Sequence, residues 1–177
     1  MKSHRIYPHR GILLFFVFAF AFAPVHAFAG TEPAGTQKAD SVLILKKDHV
    51  LELLAGGKVI GTYKVALGRG GLAPKQQEGD GRTPEGHYVI DSRNAESHYH
   101  RALHVSYPNA ADRQRAGRLG VSPGGAIMIH GLPNGMGLLG ATHRFYDWTL
   151  GCVAVTDEEI DEIWDLVPVG TPVEIRQ

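Results

Sequence analysis

The sequence predicts a mainly β domain with one or two short helices. Two observations carry that prediction: short runs rich in branched and aromatic residues recur from Ser41 onward, and breaks bearing Gly, Pro or charge separate many of them. A third is that only two stretches of the domain carry helical signals.

Ahead of the strands, Lys2, Arg5 and Arg10 precede the apolar run GILLFFVFAFAFAPV (11–25), and Ala27-Phe28-Ala29 supplies a small-residue cleavage pattern. That order predicts a secretory signal peptide over residues 1–29. The run is shorter than the ~20 apolar residues of a spanning helix; an uncleaved N-terminal anchor is the alternative. Export across the cytoplasmic membrane, to the periplasm or cell wall, is the expectation. Residues 30–40 (GTEPAGTQKAD) are polar and aperiodic and read as a linker, leaving 41–177 as one domain with room for a core.

SVLILKK (41–47), HVLELLA (49–55) and KVIGTYKVAL (58–67), broken at Lys47-Asp48 and Gly56-Gly57, read as an antiparallel meander. GRGGLAPKQQEGDGRTPEG (68–86) is loop chemistry. HYVID (87–91), ALHVSY (102–107), AIMIH (126–130) and CVAV (152–155) supply further strands, and PVEIR (172–176) closes the domain. NAADRQRAGRLG (109–120) predicts a short helix stopped by glycine. Thr156 with Glu159 forms a capping box before Ile160, Ile163, Trp164 and Val167, a second helix ending near Pro168. Trp164 belongs to that helix's apolar face, while Trp148 packs beneath the segment after His130 or lines the cleft.

The 18 basic residues balance 18 acidic ones, and loss of Lys2, Arg5 and Arg10 with a signal peptide would leave 15 against 18. No basic footprint for phosphates remains, which excludes nucleic-acid binding as the primary role.

Cys152 is the single cysteine. In an oxidising compartment such a thiol pairs with another molecule or stays free, so an inert buried Cys competes with a reactive one. It follows Gly151, opens a short apolar strand and feeds the capped helix. A nucleophilic thiol there needs a proton acceptor and N–H donors for the oxyanion, expected from amides near Gly151 and Cys152. Of ten histidines, His130 ends an apolar strand and is followed at once by Gly131, with 21 residues before Cys152. His143, inside that segment, is the second candidate. His98, His100, His104 and His143 also raise a metal reading, but no HExxH motif and no cysteine pair accompany them, so no metal and no other cofactor is assigned.

IMIHG (127–131) followed by TLGCVAV (149–155) resembles the L,D-transpeptidase catalytic domain, the YkuD family, in a divergent subgroup. GDGRTPEGHYVI (79–90) and SHYHRALHVSYPNAADRQRAG (97–117) resemble it too, so the likeness covers most of the chain after residue 40. It implies an L,D-transpeptidase-like β-sandwich, an envelope location and peptidoglycan stem peptides as partners. By the resemblance Cys152 matches the nucleophile and His130 the general base. Gly131 matches the residue whose carbonyl orients the imidazole, Gly151 the glycine before the nucleophile, and Thr149 a Ser/Thr position counted with substrate binding. Leu150 stands where histidine is frequent, Ala154 where Arg or Asn is common, and the spacer is longer than usual. Arg144 or Arg82 is the expected replacement carboxylate clamp, because guanidinium meets carboxylate bidentately. The implied reaction is ping-pong acyl transfer through a Cys152 thioester. A thiol hydrolase (L,D-carboxypeptidase or amidase type) on the same scaffold and a non-catalytic wall-binding domain are the alternatives.

Overall fold

The computed structural model describes residues 37–177; the signal-peptide reading (1–29) and the linker reading through residue 36 lie outside the described residues. The last linker positions are already docked. Ala39 donates its N–H to the Leu166 carbonyl at 2.9 Å and is buried, and the Asp40 carboxylate accepts from the Gly56 N–H at 2.6 Å.

The meander forms as predicted: β1 (Ser41–Leu45), β2 (Val50–Ala55) and β3 (Lys58–Lys64) pair antiparallel in order. Gly56 and Gly57 both sit at positive φ (58° and 74°), the two-residue turn that matches strand twist and that side chains resist. The next hairpin is longer than its hydrophobic pattern suggests. Strand β4 (Gly86–Ser97) and β5 (His100–Val105) extend through SRNAES and HR, with bulges between Ile90 and Ser92 and between Asn94 and Ser97. Those residues are largely exposed, so no apolar alternation marks them.

Two short strands follow, β6 (Met128–His130) antiparallel to β5 and β7 (Val153–Ala154) parallel to β6. The last strand, β8 (Pro172–Arg176), inserts parallel to β1 and antiparallel to β4 rather than capping an edge, giving the order β3-β2-β1-β8-β4-β5-β6-β7. Beyond β3 the chain crosses to the opposite edge. Ala66 and Ala154 exchange two backbone hydrogen bonds of 2.9 Å, so the sheet curls back on itself.

Helix α1 (Ala110–Leu119) is capped by Asn109 with Asp112 and stopped by Gly120 at φ 68°. Helix α2 (Asp157–Leu166) has the predicted Thr156–Glu159 box. It buries Ile160 and Ile163, with Val167 just past its end, in the same core cluster as Ile129, Val153 and Leu103; each such side chain contributes roughly 1.5–3 kcal/mol. Trp164 is only partly buried, and the Arg93 guanidinium lies 3.8 Å from its ring centroid. Between β6 and β7, residues Gly137–Phe145 form a 3-10 segment kinked at Gly140. No helix among the described residues is long and apolar enough to cross a membrane.

Candidate active site

The parallel pairing of β6 with β7 brings His130 and Cys152 to one cleft: His130 ends β6 in register with Ala154, and Cys152 immediately precedes β7. The cleft, of about 390 Å³, is lined by Tyr99, Met128, His130, Trp148, Thr149, Leu150 and Cys152 among others.

His130 is buried, and its Nδ1 lies 2.7 Å from the Gly131 carbonyl oxygen. A carbonyl only accepts, so Nδ1 carries the proton and Nε2 is left as the basic nitrogen. The Tyr99 ring lies 4.5 Å away and Trp148 meets the imidazole edge-on at 5.8 Å, fixing its plane. Burial pushes the His130 pKa below its ordinary value, against the raising effect of the Gly131 carbonyl. Burial likewise pushes the Cys152 thiol up, opposed by a backbone hydrogen bond from Met128 and by the Lys75 charge. Both shifts favour the uncharged forms, imidazole and thiol. Cys152 is half-buried, with Sγ 3.5 Å from the Ala126 carbonyl.

The turn before Cys152 is built from both sides. Thr149 is buried; its hydroxyl donates to the Cys152 carbonyl at 2.7 Å and accepts the Gly151 N–H at 3.1 Å. The hydroxyl counted with substrate binding is thus engaged in the turn, and the Gly151 amide donates to it. Gly151 itself sits at φ 131°, and a Cβ there would lie 2.7 Å from the Arg82 carbonyl oxygen and 3.1 Å from Ile127. Only glycine fits.

Loop 68–86 supplies that Arg82 carbonyl and is held from within. Lys46, with no exposed surface, reaches the Thr83 carbonyl at 3.0 Å, the Ala73 carbonyl at 3.3 Å and the Glu85 carboxylate at 2.9 Å. Buried Lys75 pairs with Asp80 at 2.8 Å, and the same carboxylate accepts the N–H groups of Gln76, Gln77 and Arg82, which together draw its pKa down to about 2 against the opposing effect of its burial.

The two arginines are placed elsewhere. Arg144 is tied to the Glu159 carboxylate that also completes the α2 capping box, so its guanidinium is engaged and does not line the cleft. Arg82 presents its carbonyl to Gly151 while its Nε donates to the Gly70 carbonyl at 3.3 Å; its side chain is also outside the lining. His143 is buried on the far side of Trp148, not beside Cys152. His100 pairs with Asp161 and His104 with Asp91, and among the described residues no three His, Cys, Asp or Glu side chains are grouped to hold a metal ion.

The family model for the L,D-transpeptidase catalytic domain (YkuD) matches residues 39–175. The chain belongs to the L,D-transpeptidase family. It is 31% identical over 133 residues, 71% of its length, to YafK of Escherichia coli K12, a protein named for this family, of which the match covers 46%. Among solved structures the helical cell shape determining protein Pgp2 from Campylobacter jejuni (K307A mutant) superposes with a TM-score of 0.60 at 24% identity, covering 84% of this chain and 51% of that one. The L,D-transpeptidase of Xylanimonas cellulosilytica (residues 123–326) gives 0.54 at 18% identity, covering 81% and 63%. The chain spans about half the length of YafK and of Pgp2.

Within the L,D-transpeptidase frame the departures have physical settings. Ala154 is fully buried where the curled sheet closes on Ala66, so an Arg side chain has no space at that position. Leu150, two-thirds exposed, stands on the rim of the cleft. Sequence reading missed Tyr99, which the hairpin tip after β4 carries over His130; the signal available was an aromatic flanked by two histidines in a polar stretch. It also missed Asp147, whose carboxylate accepts the Leu67 N–H at 2.7 Å and faces His49 at 3.1 Å, anchoring the chain just before Trp148.

Proposed function

We propose that the chain is a cysteine acyltransferase acting on peptidoglycan stem peptides outside the cytoplasmic membrane, with Cys152 as nucleophile and His130 as general base. The observation that carries this reading is the buried imidazole whose Nδ1 proton is fixed on the Gly131 carbonyl, in the same cleft as the chain's one thiol. Its Nε2 can then take a proton. Because burial favours the uncharged form of each group, proton transfer accompanies attack. His130 takes the thiol proton as Sγ bonds to the carbonyl carbon of the third stem residue. The oxyanion is held by the Cys152 N–H, since Gly151's is committed to Thr149. The amide C–N bond breaks, terminal D-alanine leaves with the proton from His130, and a thioester remains. An amine from a second peptide then attacks the thioester, gives up a proton to His130 and releases the thiol.

The test is to incubate the purified protein, and Cys152→Ala beside it, with peptidoglycan and to identify the digested muropeptides by mass spectrometry. Cross-linked or exchanged stems that disappear in the variant are expected. Shortened stems that disappear in the variant would assign hydrolysis to the same nucleophile. The absence of any Cys152-dependent change would overturn the reading.

A further inference from the structure

Gly125, Ala126 and Met128 line the cleft that holds Cys152 and His130. The stretch 122–127 that leads into it has one backbone outlier: Ala126 sits at φ 53°, in the left-handed region that a Cβ disfavours. Such a conformation persists only where its surroundings impose it. At one end the Ser122 carbonyl accepts the Glu78 N–H at 2.8 Å, and the Ser122 hydroxyl donates to the Glu78 carboxylate at 2.9 Å. The Pro123 carbonyl accepts the Tyr107 hydroxyl at 2.8 Å. At the other end the Ile127 carbonyl accepts the Val105 N–H at 2.9 Å. Between those pins the Ala126 carbonyl oxygen lies 3.5 Å from Cys152 Sγ. A carbonyl only accepts, so the thiol is the donor. Among the described residues Sγ makes no hydrogen bond with the His130 imidazole.

We propose that Ala126 is a positioning residue for Cys152: its left-handed backbone turns its carbonyl onto Sγ and parks the thiol there, so the S–H reaches His130 only after that hydrogen bond breaks. A thiol has one proton, and while the Ala126 oxygen holds it the imidazole does not. The Met128 N–H, two residues along, also bonds to the sulfur, and it acts in the opposite sense. The carbonyl favours the thiol; the amide favours a thiolate. Together they bracket the sulfur from either side of Ile127. In the acyl-transfer reading the S–H turns from the Ala126 oxygen to His130 Nε2, and the proton passes to that nitrogen as Sγ attacks. That order of events rests on the acyl-transfer reading; the parked thiol does not.

The test reads the S–H stretching band of the purified protein by infrared difference against Cys152→Ala; a single cysteine gives a single band. A thiol that donates to a carbonyl absorbs at lower frequency than one that does not. Ala126→Gly keeps the carbonyl and accepts φ 53°, so the low band should stay. Ala126→Val, whose branched Cβ resists that conformation, should move it up. His130→Leu should leave the band in place, because the imidazole is not the acceptor. The pH dependence of iodoacetamide alkylation is the second readout. Its midpoint should fall by roughly 0.4 to 0.7 pH unit in Ala126→Val, where the bond to the uncharged thiol is lost, and hold in Ala126→Gly. The titratable and charged groups that bear on the thiol are His130, across the cleft, and Lys75 in loop 68–86, and both are the same throughout the Ala126 series. A band that rises in His130→Leu gives the proton to the imidazole and overturns the proposal. So does an Ala126→Val protein whose band and midpoint match the native ones, or an equal shift in Ala126→Gly. These readings need no turnover, so they stand or fall apart from the muropeptide assay.

Discussion

Two segments flank the Cys152–His130 cleft, and they are built on opposite terms. Loop 68–86 has polar contacts that are almost saturated: Lys46 and Lys75 are buried inside it, Asp80 accepts from four donors, and Gly68 and Gly70 press so close to the Gly81 and Asp80 carbonyls that a Cβ would fall 2.2 and 2.1 Å from them. The segment 131–151 has the reverse character. It kinks at Gly140, exposes Leu138, Phe145, Tyr146 and Leu150, and leaves His143 Nε2 without a partner. The first segment can set the backbone behind a nucleophile, because each group in it has one place to be. The second keeps large apolar side chains in solvent and one buried imidazole nitrogen unpaired, so its contacts are far from closed.

Breaking the closed side should give the largest effects. Lys46→Ala strips the loop of a cation that satisfies two carbonyls and one carboxylate, all from a fully buried position. Loss of a buried partner of this kind costs about 3–5 kcal/mol, to be read as a lowered urea midpoint at unchanged m-value. Thr149→Val keeps the shape and removes the hydroxyl that joins Gly151 to Cys152. Two buried backbone groups lose their partner, which should cost about 2–3 kcal/mol across stability and activity. If the turn positions the thiol proposed as nucleophile, part of that loss appears in kcat, measured on the proposed muropeptide reaction; a purely stability-borne loss would show the closed side to be scaffold alone.

The same contrast explains what the sequence could and could not reveal. The strands announce themselves because one face is buried: Val42, Ile44, Leu51 and Leu53 are buried and, apart from Val50 beside Leu51, their neighbours along β1 and β2 are half-exposed. Cys152 and His130 were legible because each sits beside a glycine at the end of an apolar run and because the surrounding motifs resemble a family. The closed loop was illegible. Lysine reads as a solvated residue, and the partners that bury Lys46 lie 27 to 39 residues away in a stretch that looks like ordinary loop. The site of Arg144 was hidden for a related reason: Glu159 was visible as a capping residue, but not that one carboxylate oxygen would serve both the helix end and a guanidinium. The 3-10 segment carries no sustained period, so its turns had no signal.

On the open side a titration sharpens the comparison. Burial, then the neighbouring Arg144 charge, pull the His143 pKa from 6.5 to about 4, while Glu159 and Asp157 oppose and His130 adds to the depression. A histidine whose folded pKa is depressed binds fewer protons than it does unfolded. Its contribution is therefore lost as pH falls from 6.5 towards 4 and is complete above that window. Urea unfolding at pH 7.5 and 4.5 should show a loss for the native protein that His143→Phe reduces by on the order of 2 kcal/mol. His130 contributes with the same sign and remains in the variant, so the slope shrinks without vanishing.

The smallest expected effect is the one that separates the two sides most cleanly. Leu138 is fully exposed and Phe145 nearly so, at 104% and 85% of their reference areas, and Leu138 has no burial to lose. The double change Leu138→Ser and Phe145→Ser should leave the urea midpoint within about 0.5 kcal/mol of the native value, as surface substitutions do. If both side chains serve folding, through packing in the denatured ensemble or contacts with the rest of the segment, stability falls instead and the open side is scaffold like its neighbour. If they are held at the surface for a partner, what changes is solubility. Removing two large apolar groups from an uncovered patch lowers self-association, which sedimentation at rising protein concentration measures. A midpoint that holds while association falls is the signature of a surface maintained against its own energetic interest, and it is the pattern that loop 68–86, with its contacts already closed, should never show.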